Sequence, residues 1–331
     1  MKQLNRHISK ALSTSPWLAG PFLALAAYCP LFIFALAGSW LPHLLVISLL
    51  WCGWLLLKHK SWKAGWLALW ILLCIPVLIP QHHTSTPMQG NGSTLRLAQV
   101  NVLQENRKHE LVAQQIMSLD ADVLAFQEVN KVWTDTLAEL LSEEYPYYSL
   151  APHEKHYGMA IFSRKPLKDV QLNVWAGYPV LSAKIRQGDQ ETLVLSVHTP
   201  SPVTLKRFKA RNEELHEIAK FVREADMPTL ILGDFNIVPW DSALKPLLQA
   251  AGLKDCRSLH YTATWPSPLG RWGIPIDYVL HSAHWQRISH GSAPIPGSDH
   301  KAMVATLALK PVTNKENNSI LLGENLEKQA E

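Results

Sequence analysis

No aspartate or glutamate occurs in the first 91 residues, although the whole chain holds 27. That stretch carries six basic residues (Lys2, Arg6, Lys10, Lys58, Lys60 and Lys63) and seven of the 13 tryptophans. Three charge-free apolar runs fill most of it: Trp17–Gly38, Leu41–Leu57 and Ala64–Pro80. A bilayer core about 30 Å thick takes about 20 apolar residues of helix, and Trp near the run ends suits the membrane interface. Three transmembrane helices are therefore expected within residues 1–80. Helices buried in a soluble fold are the alternative, and the long absence of acidic residues argues against it. Ala35-Leu36-Ala37 also has the small-x-small spacing of a signal-peptide cleavage site. The first run exceeds the usual h-region of about 7–15 residues, and two more runs follow, so retained helices are expected.

Lys2, Arg6 and Lys10 precede the first run, and Lys58, Lys60 and Lys63 separate the second from the third. Three spans place both clusters on one face, which the positive-inside rule assigns to the cytoplasm. Everything after Pro80 is then expected on the non-cytoplasmic face of an integral membrane protein, at the inner membrane if the cell is Gram-negative. Residues 81–94 are polar and turn-rich, which marks a linker. Residues 95–311 make the soluble domain, and 312–331 have the polar composition of a disordered tail. Residues 92–311 balance 23 basic against 23 acidic side chains. A domain that grips a polyanion usually carries excess positive charge, so tight non-specific binding of nucleic acid is disfavoured. Cys256 is the only thiol in this part; it allows no internal disulfide and matches no zinc motif.

Strand-like and helix-like runs alternate through the soluble part, which predicts an α/β or α+β layered domain. Its informative feature is where polar residues interrupt apolar strands. Asn101 ends one strand, Glu128 follows Gln127 at the end of another, and His198 ends a third. Asp234 and Asn236 stand in Gly233-Asp234-Phe235-Asn236, and Asp277 follows Ile276. Ser298-Asp299-His300 closes the series just before the last strand. Each alone reads as an ordinary turn or surface residue. Together, at strand ends on one rim of a sheet, they collect carboxylates, amides and imidazoles. Hard oxygen ligands of that kind suit Mg²⁺ or Mn²⁺, and amide and imidazole donors suit phosphoryl oxygens.

That ordered set resembles the endonuclease/exonuclease/phosphatase superfamily, which includes deoxyribonuclease-I-like nucleases and bacterial sphingomyelinases. The resemblance spans about residues 95–309, and Thr264-Trp265-Pro266 with Ile274-Pro275-Ile276-Asp277 is similar to small bacterial members. It implies a four-layered α/β sandwich, two central mixed sheets flanked by helices. It also implies residue roles. Glu128 would be the principal metal ligand, with Asn101 supporting the metal and the phosphate, and Asp299 a second metal contact or an orienting group for His300. Asp234 would accept a proton from the attacking water. Asn236, His198 and His300 would bind or stabilise the phosphoryl group, with Asp277 orienting His300. Some apurinic endonucleases carry an Asp two residues after the first Asn, where this chain has Leu103; that turns the reading away from DNA repair.

The expected function is a membrane-anchored, divalent-metal-dependent phosphodiesterase acting outside the cytoplasm on lipid headgroups or other envelope phosphoesters. An exported nuclease is the alternative, favoured by the resemblance and disfavoured by the charge balance. A non-catalytic binding module on the same fold is the third reading, and the complete polar set argues against it. No protein partner is legible.

Overall fold

Alternation along the strands sets up the layers. A computed structural model of the chain describes residues 15–79, 93–257 and 262–311. Lys2, Arg6 and Lys10, most of the expected linker and the expected tail lie outside the described residues. In β1 (Thr94–Asn101), Leu95 and Leu97 face one core while Ala98 and Val100 face another. This is the two-residue period of a strand buried on both faces.

One six-stranded sheet runs in the order β11-β12-β1-β2-β4-β3. It comprises β1, β2 (Val123–Gln127), β3 (Tyr147–Ala151), β4 (Met159–Ser163), β11 (Trp285–Pro294) and β12 (Lys301–Leu309). The other runs β5-β6-β7-β8-β10-β9. Its strands are β5 (Lys168–Trp175), β6 (Tyr178–Gln187), β7 (Gln190–His198), β8 (Thr229–Asp234), β9 (Lys254–Asp255) and β10 (Asp277–His281). Both are mixed: β1–β2 and β7–β8 pair parallel, and the remaining pairings are antiparallel.

The core between the sheets contains Leu97, Ala125, Ile161, Val194, Leu232 and Met303. The outer face of the first sheet is covered by α5 (His109–Ser118) and α6 (Lys131–Leu141), through Val112, Ile116, Trp133 and Leu137. The outer face of the second is covered by α7 (Leu205–Ala225) and α8 (Leu244–Ala250), through Leu215, Ile218, Leu244 and Leu247. The expected sandwich of two sheets flanked by helices is what forms. Asn130 caps α6 by accepting from the Trp133 amide, and Thr204 caps α7 by accepting from the Arg207 amide, each satisfying a donor that the first helical turn leaves free.

The apolar N-terminal region differs from three straight spans. Its first run divides into α1 (Pro16–Tyr28) and α2 (Phe32–Ser39), which meet at 93°. Pro30 supplies the cause: it has no N–H to continue a helix and drives Cys29 into an extended conformation (φ −88°, ψ 120°). α3 (Leu41–Leu57) is 17 residues long, and α4 (Ser61–Cys74) continues through a 3₁₀ turn at Ile75–Leu78. Among the described residues, Ser61–Leu78 is the one unbroken stretch that meets the length and hydropathy of a membrane span, and the bent α1–α2 pair meets them taken together. Leu23 of α1, Leu41 and Leu45 of α3, and Leu67 and Ile71 of α4 form the core of this bundle. It is fastened to the sandwich by Trp240, whose Nε1 donates to the Gly38 carbonyl at 2.7 Å.

Candidate active site

The polar residues of interest end the rows of side chains that face the inter-sheet core. In β1 the row is Leu95, Leu97, Gln99, Asn101; in β8 it is Leu230, Leu232, Asp234. β7 contributes Val194, Ser196 and His198, and β10 begins its row at Asp277, followed by Val279. Parallel pairing brings the C-terminal ends of β7 and β8 together, with His198 opposite Asp234. Antiparallel β10 places its first residue, Asp277, opposite Asp234 as well. Apolar side chains fill the slab and polar ones collect at one end of it.

Gly233 permits this crowding. A Cβ there would lie 2.0 Å from the Val197 carbonyl oxygen, a backbone atom that cannot move aside. Asn236 and Glu128 both have positive φ (47° and 63°), a region that costs most non-glycine residues energy and often marks functional geometry. At Glu128 it turns the chain just past β2.

Asn101 is fully buried and binds both acids: its Nδ2 donates to Glu128 Oε1 at 3.0 Å and to Asp234 Oδ2 at 3.3 Å. The Leu103 amide donates to Asn101 Oδ1, which fixes the amide's orientation. Glu128 Oε2 accepts from the Gln104 amide at 3.3 Å and from His156 Nδ1 at 3.1 Å. Burial alone would raise the Glu128 pKa; the nearby His198 and the bonds from Asn101, His156 and Gln104 outweigh it and hold the pKa below its usual value. Glu105 also comes within 3.4 Å of His156, and Glu105, Glu128 and His156 offer ligand atoms to one common point.

The second group is Asp234, Asp277 and His300. His300 Nδ1 donates to Asp277 Oδ2 at 2.9 Å, which turns Nε2 toward Asp234 Oδ2, 3.7 Å away. His198 Nε2 lies 3.6 Å from that same oxygen. Asp234 Oδ1 accepts from the Asn236 amide at 2.9 Å. Burial and then the neighbouring Asp277 charge push Asp234 up to about 8, against the opposing pull of His300. For His300, burial works downward, but Asp277 and Asp234 prevail and push it up to about 10. Burial lowers the pKa of His198, with Glu128 opposing.

Asp299 borders the second group. Its Oδ2 accepts from Trp265 Nε1 at 2.8 Å, and Oδ1 lies 4.0 Å from His300 Nε2. The geometry puts it beside His300, on the cleft that Glu128 also lines. Asn236 spends its Nδ2 on the Thr199 carbonyl at 2.9 Å, and its side chain still borders the cleft.

Sequence reasoning missed several residues. Gln99 Nε2 donates to Asp277 Oδ1 and to Gln127 Oε1, both at 2.8 Å, and Gln127 Nε2 donates to Ser196 Oγ at 3.0 Å. This buried relay anchors Asp277 from behind, and its signal was polar residues inside apolar strands. His156, Gln104 and Glu105 lie in loops and carried no pattern. Arg207, bonded to Tyr157, is the one Lys or Arg among the described residues lining the cleft. The cleft holds about 420 Å³, within the range of small-ligand sites.

The sequence profile of the Endonuclease/Exonuclease/phosphatase family matches residues 95–300. The chain belongs to this family. All the site residues named in the two groups fall inside the matched span. Craniofacial development protein 2 of Bos taurus is 22% identical over 234 residues, 61% of this chain. The match covers 39% of that curated relative, so the chain spans about two fifths of its length. A solved endonuclease/exonuclease/phosphatase from Beutenbergia cavernae superposes with a TM-score of 0.55 at 18% identity, covering 67% of this chain and 73% of that one. D. rerio TDP2 complexed with single-strand DNA product gives 0.55 at 17%, covering 65% and 99%. These structural likenesses establish the family fold.

Proposed function

We propose that the chain is a divalent-metal-dependent phosphodiesterase, held at a membrane by the helices of residues 16–78, with its active site outside the cytoplasm. One observation carries the chemistry: Asn101, Glu128, His198, Asp234, Asp277 and His300, from six separate segments, meet at one end of the inter-sheet core.

The donor set around Glu128 fits a hard divalent cation. A carboxylate kept ionised and facing the cleft is joined there by the Glu105 carboxylate and the His156 imidazole. Glu128 would be the principal ligand, with Asn101 holding it in place. A cation there supplies positive charge that polarises the phosphoester and favours the ionised form of Asp234.

The protein's own groups do the rest. Asp234, with Oδ1 pinned by the Asn236 amide, presents Oδ2 to a water and takes its proton as the water attacks phosphorus. His300, held by Asp277 and kept protonated, donates from Nε2 to the phosphoryl oxygen on which charge builds. His198 and Asn236 border the same space and position the phosphate. Asp299 steadies the His300 side of the cleft through Trp265.

Activity in this scheme needs Asp234 ionised and His300 protonated. As pH falls, Asp234 gains a proton and turnover is lost; as pH rises through about 10, His300 loses its proton and turnover is lost again. Hydrolysis of a soluble aryl phosphodiester should therefore be bell-shaped in kcat/KM, with a lower limb at or below about 8 and an upper limb near 10. A flat profile from pH 6 to 10 would remove the acid–base pair from the scheme.

Orientation is supported by the bundle itself. Lys58, Lys60 and Lys63 sit at the α3–α4 turn. Trp40 and His43, at the start of α3, touch the sandwich instead. The 17 residues of α3 separate these ends by about 26 Å, nearly a hydrocarbon core. The positive-inside rule assigns the lysine end to the cytoplasm. A periplasmic-type reporter such as alkaline phosphatase fused after residue 311 should be active, and a cytoplasm-only reporter dark; the reverse would reject this placement.

A further inference from the structure

The cleft has a wall that the α/β sandwich does not supply. Leu36, Ser39 and Trp40, at the corner where α2 turns into α3, line the same cleft as Glu128, Asp234 and His300. That corner is tied to the sandwich at several points. Beyond the Trp240–Gly38 bond, His43 Nε2 donates to the Trp272 carbonyl at 2.7 Å, and Phe32 packs on Phe208 with ring centroids 5.6 Å apart. Trp40 joins Trp265, Ile274 and Ile276 in one apolar cluster, and these residues also reach the cleft. Besides the carboxylates and imidazoles, the lining includes aliphatic and indole side chains.

The apolar surface continues outside. Leu31, just before α2, is 63% exposed, Ile33 on α2 is 66% exposed, and Val203 is 62% exposed at the cleft border. Large exposed apolar side chains beside a polar cleft suit contact with something apolar. A nucleic-acid strand calls for a basic track along its backbone. The cleft offers Arg207 as its one Lys or Arg among the described residues, already bonded to Tyr157.

We propose that the α2–α3 corner is part of the substrate site, and that it receives the hydrocarbon portion of a membrane-lipid phosphoester whose phosphate lies at Glu128, Asp234 and His300. The proposal rests on the hydrolase reading above. A bundle whose outward side chains are largely Leu and Ile holds this corner at the bilayer surface, a level that suits Trp40. A lipid then lifts only its headgroup into the cleft and leaves its chain along α2. Water attacks the phosphorus, the P–O bond to one ester group breaks, and that group departs with a proton, leaving a phosphomonoester.

The test is a chain-length series: 4-nitrophenyl alkyl phosphodiesters from methyl to octyl, kept below their critical micelle concentrations, with the full chain in one detergent and Mn²⁺. The leaving group is constant, so only the alkyl contact changes. In the unsubstituted protein kcat/KM should rise about two- to threefold per added methylene, somewhat under the full value of a buried CH₂. Leu36→Asp and Trp40→Ala should flatten that slope, and the milder Leu36→Ala, which spares folding, should reduce it. A flat series in the unsubstituted protein, or an equal slope in all three variants, would overturn the lipid wall while leaving the hydrolase reading intact. Faster cleavage of a single-stranded oligonucleotide than of the octyl ester would likewise overturn it in favour of a nuclease. No nitrophenolate from any ester would overturn the hydrolase reading, and this proposal with it.

Discussion

Replacing Asp234 by Asn should lower kcat by about 10²–10⁴-fold, the usual worth of a positioned general base, with little change in KM. The substitution keeps the volume and one acceptor for the Asn236 amide but cannot take a proton from water. It also removes a charge that helps keep His300 protonated, so the upper pH limb should move down in the residual activity. His300→Ala removes a donor to the transition state and should cost on the order of 10²–10³-fold. Asp234 and His300 share one oxygen's surroundings at 3.7 Å and serve one chemical step. The double variant should therefore lose much less than the product of the single losses. Strict multiplicativity in steady-state kinetics would mean that the two residues act independently.

The second large effect belongs to Glu128→Gln. The amide keeps the shape and can still bond Asn101, but it loses the charge that holds a cation. Outer partners of metal ligands are typically worth about 10–100-fold in affinity; a direct carboxylate ligand should exceed that, so Mn²⁺ binding by calorimetry should weaken by more than about 10²-fold. The unfolding midpoint in chelator should stay near that of the unsubstituted protein, because Glu128 borders the cleft and lies outside the apolar cores. Unchanged Mn²⁺ affinity would move the metal away from Glu128.

Much of the site could be read from the chain because β-strand geometry is regular. Asn101, His198 and Asp234 each end a row of alternating core residues, and the parity of the row decides which sheet face they take. Asp277 begins such a row, and the antiparallel pairing that sets it against Asp234 is a long-range fact no local pattern contains. Gln99 and Gln127 look like flaws in apolar strands until the relay behind Asp277 is seen. His156 reaches Glu128 through a loop, where spacing predicts nothing. The bend between α1 and α2 follows from Pro30, a local signal that hydropathy averaging hides. The role of Leu36 and Trp40 as a cleft wall was invisible in sequence, since it depends on Trp240 docking 202 residues away on Gly38.

Cleavage of a phosphodiester with a divalent cation held at Glu128 is the activity on which every role proposed for the site depends. It is tested most directly by following 4-nitrophenolate release from bis(4-nitrophenyl) phosphate by the purified full chain, before chelation, after chelation, and after Mn²⁺ or Mg²⁺ is returned. Chelation should abolish turnover and the returned cation restore it, with no such restoration in Glu128→Gln at the same cation concentration. Full turnover in the presence of chelator, or equal restoration in Glu128→Gln, would contradict it.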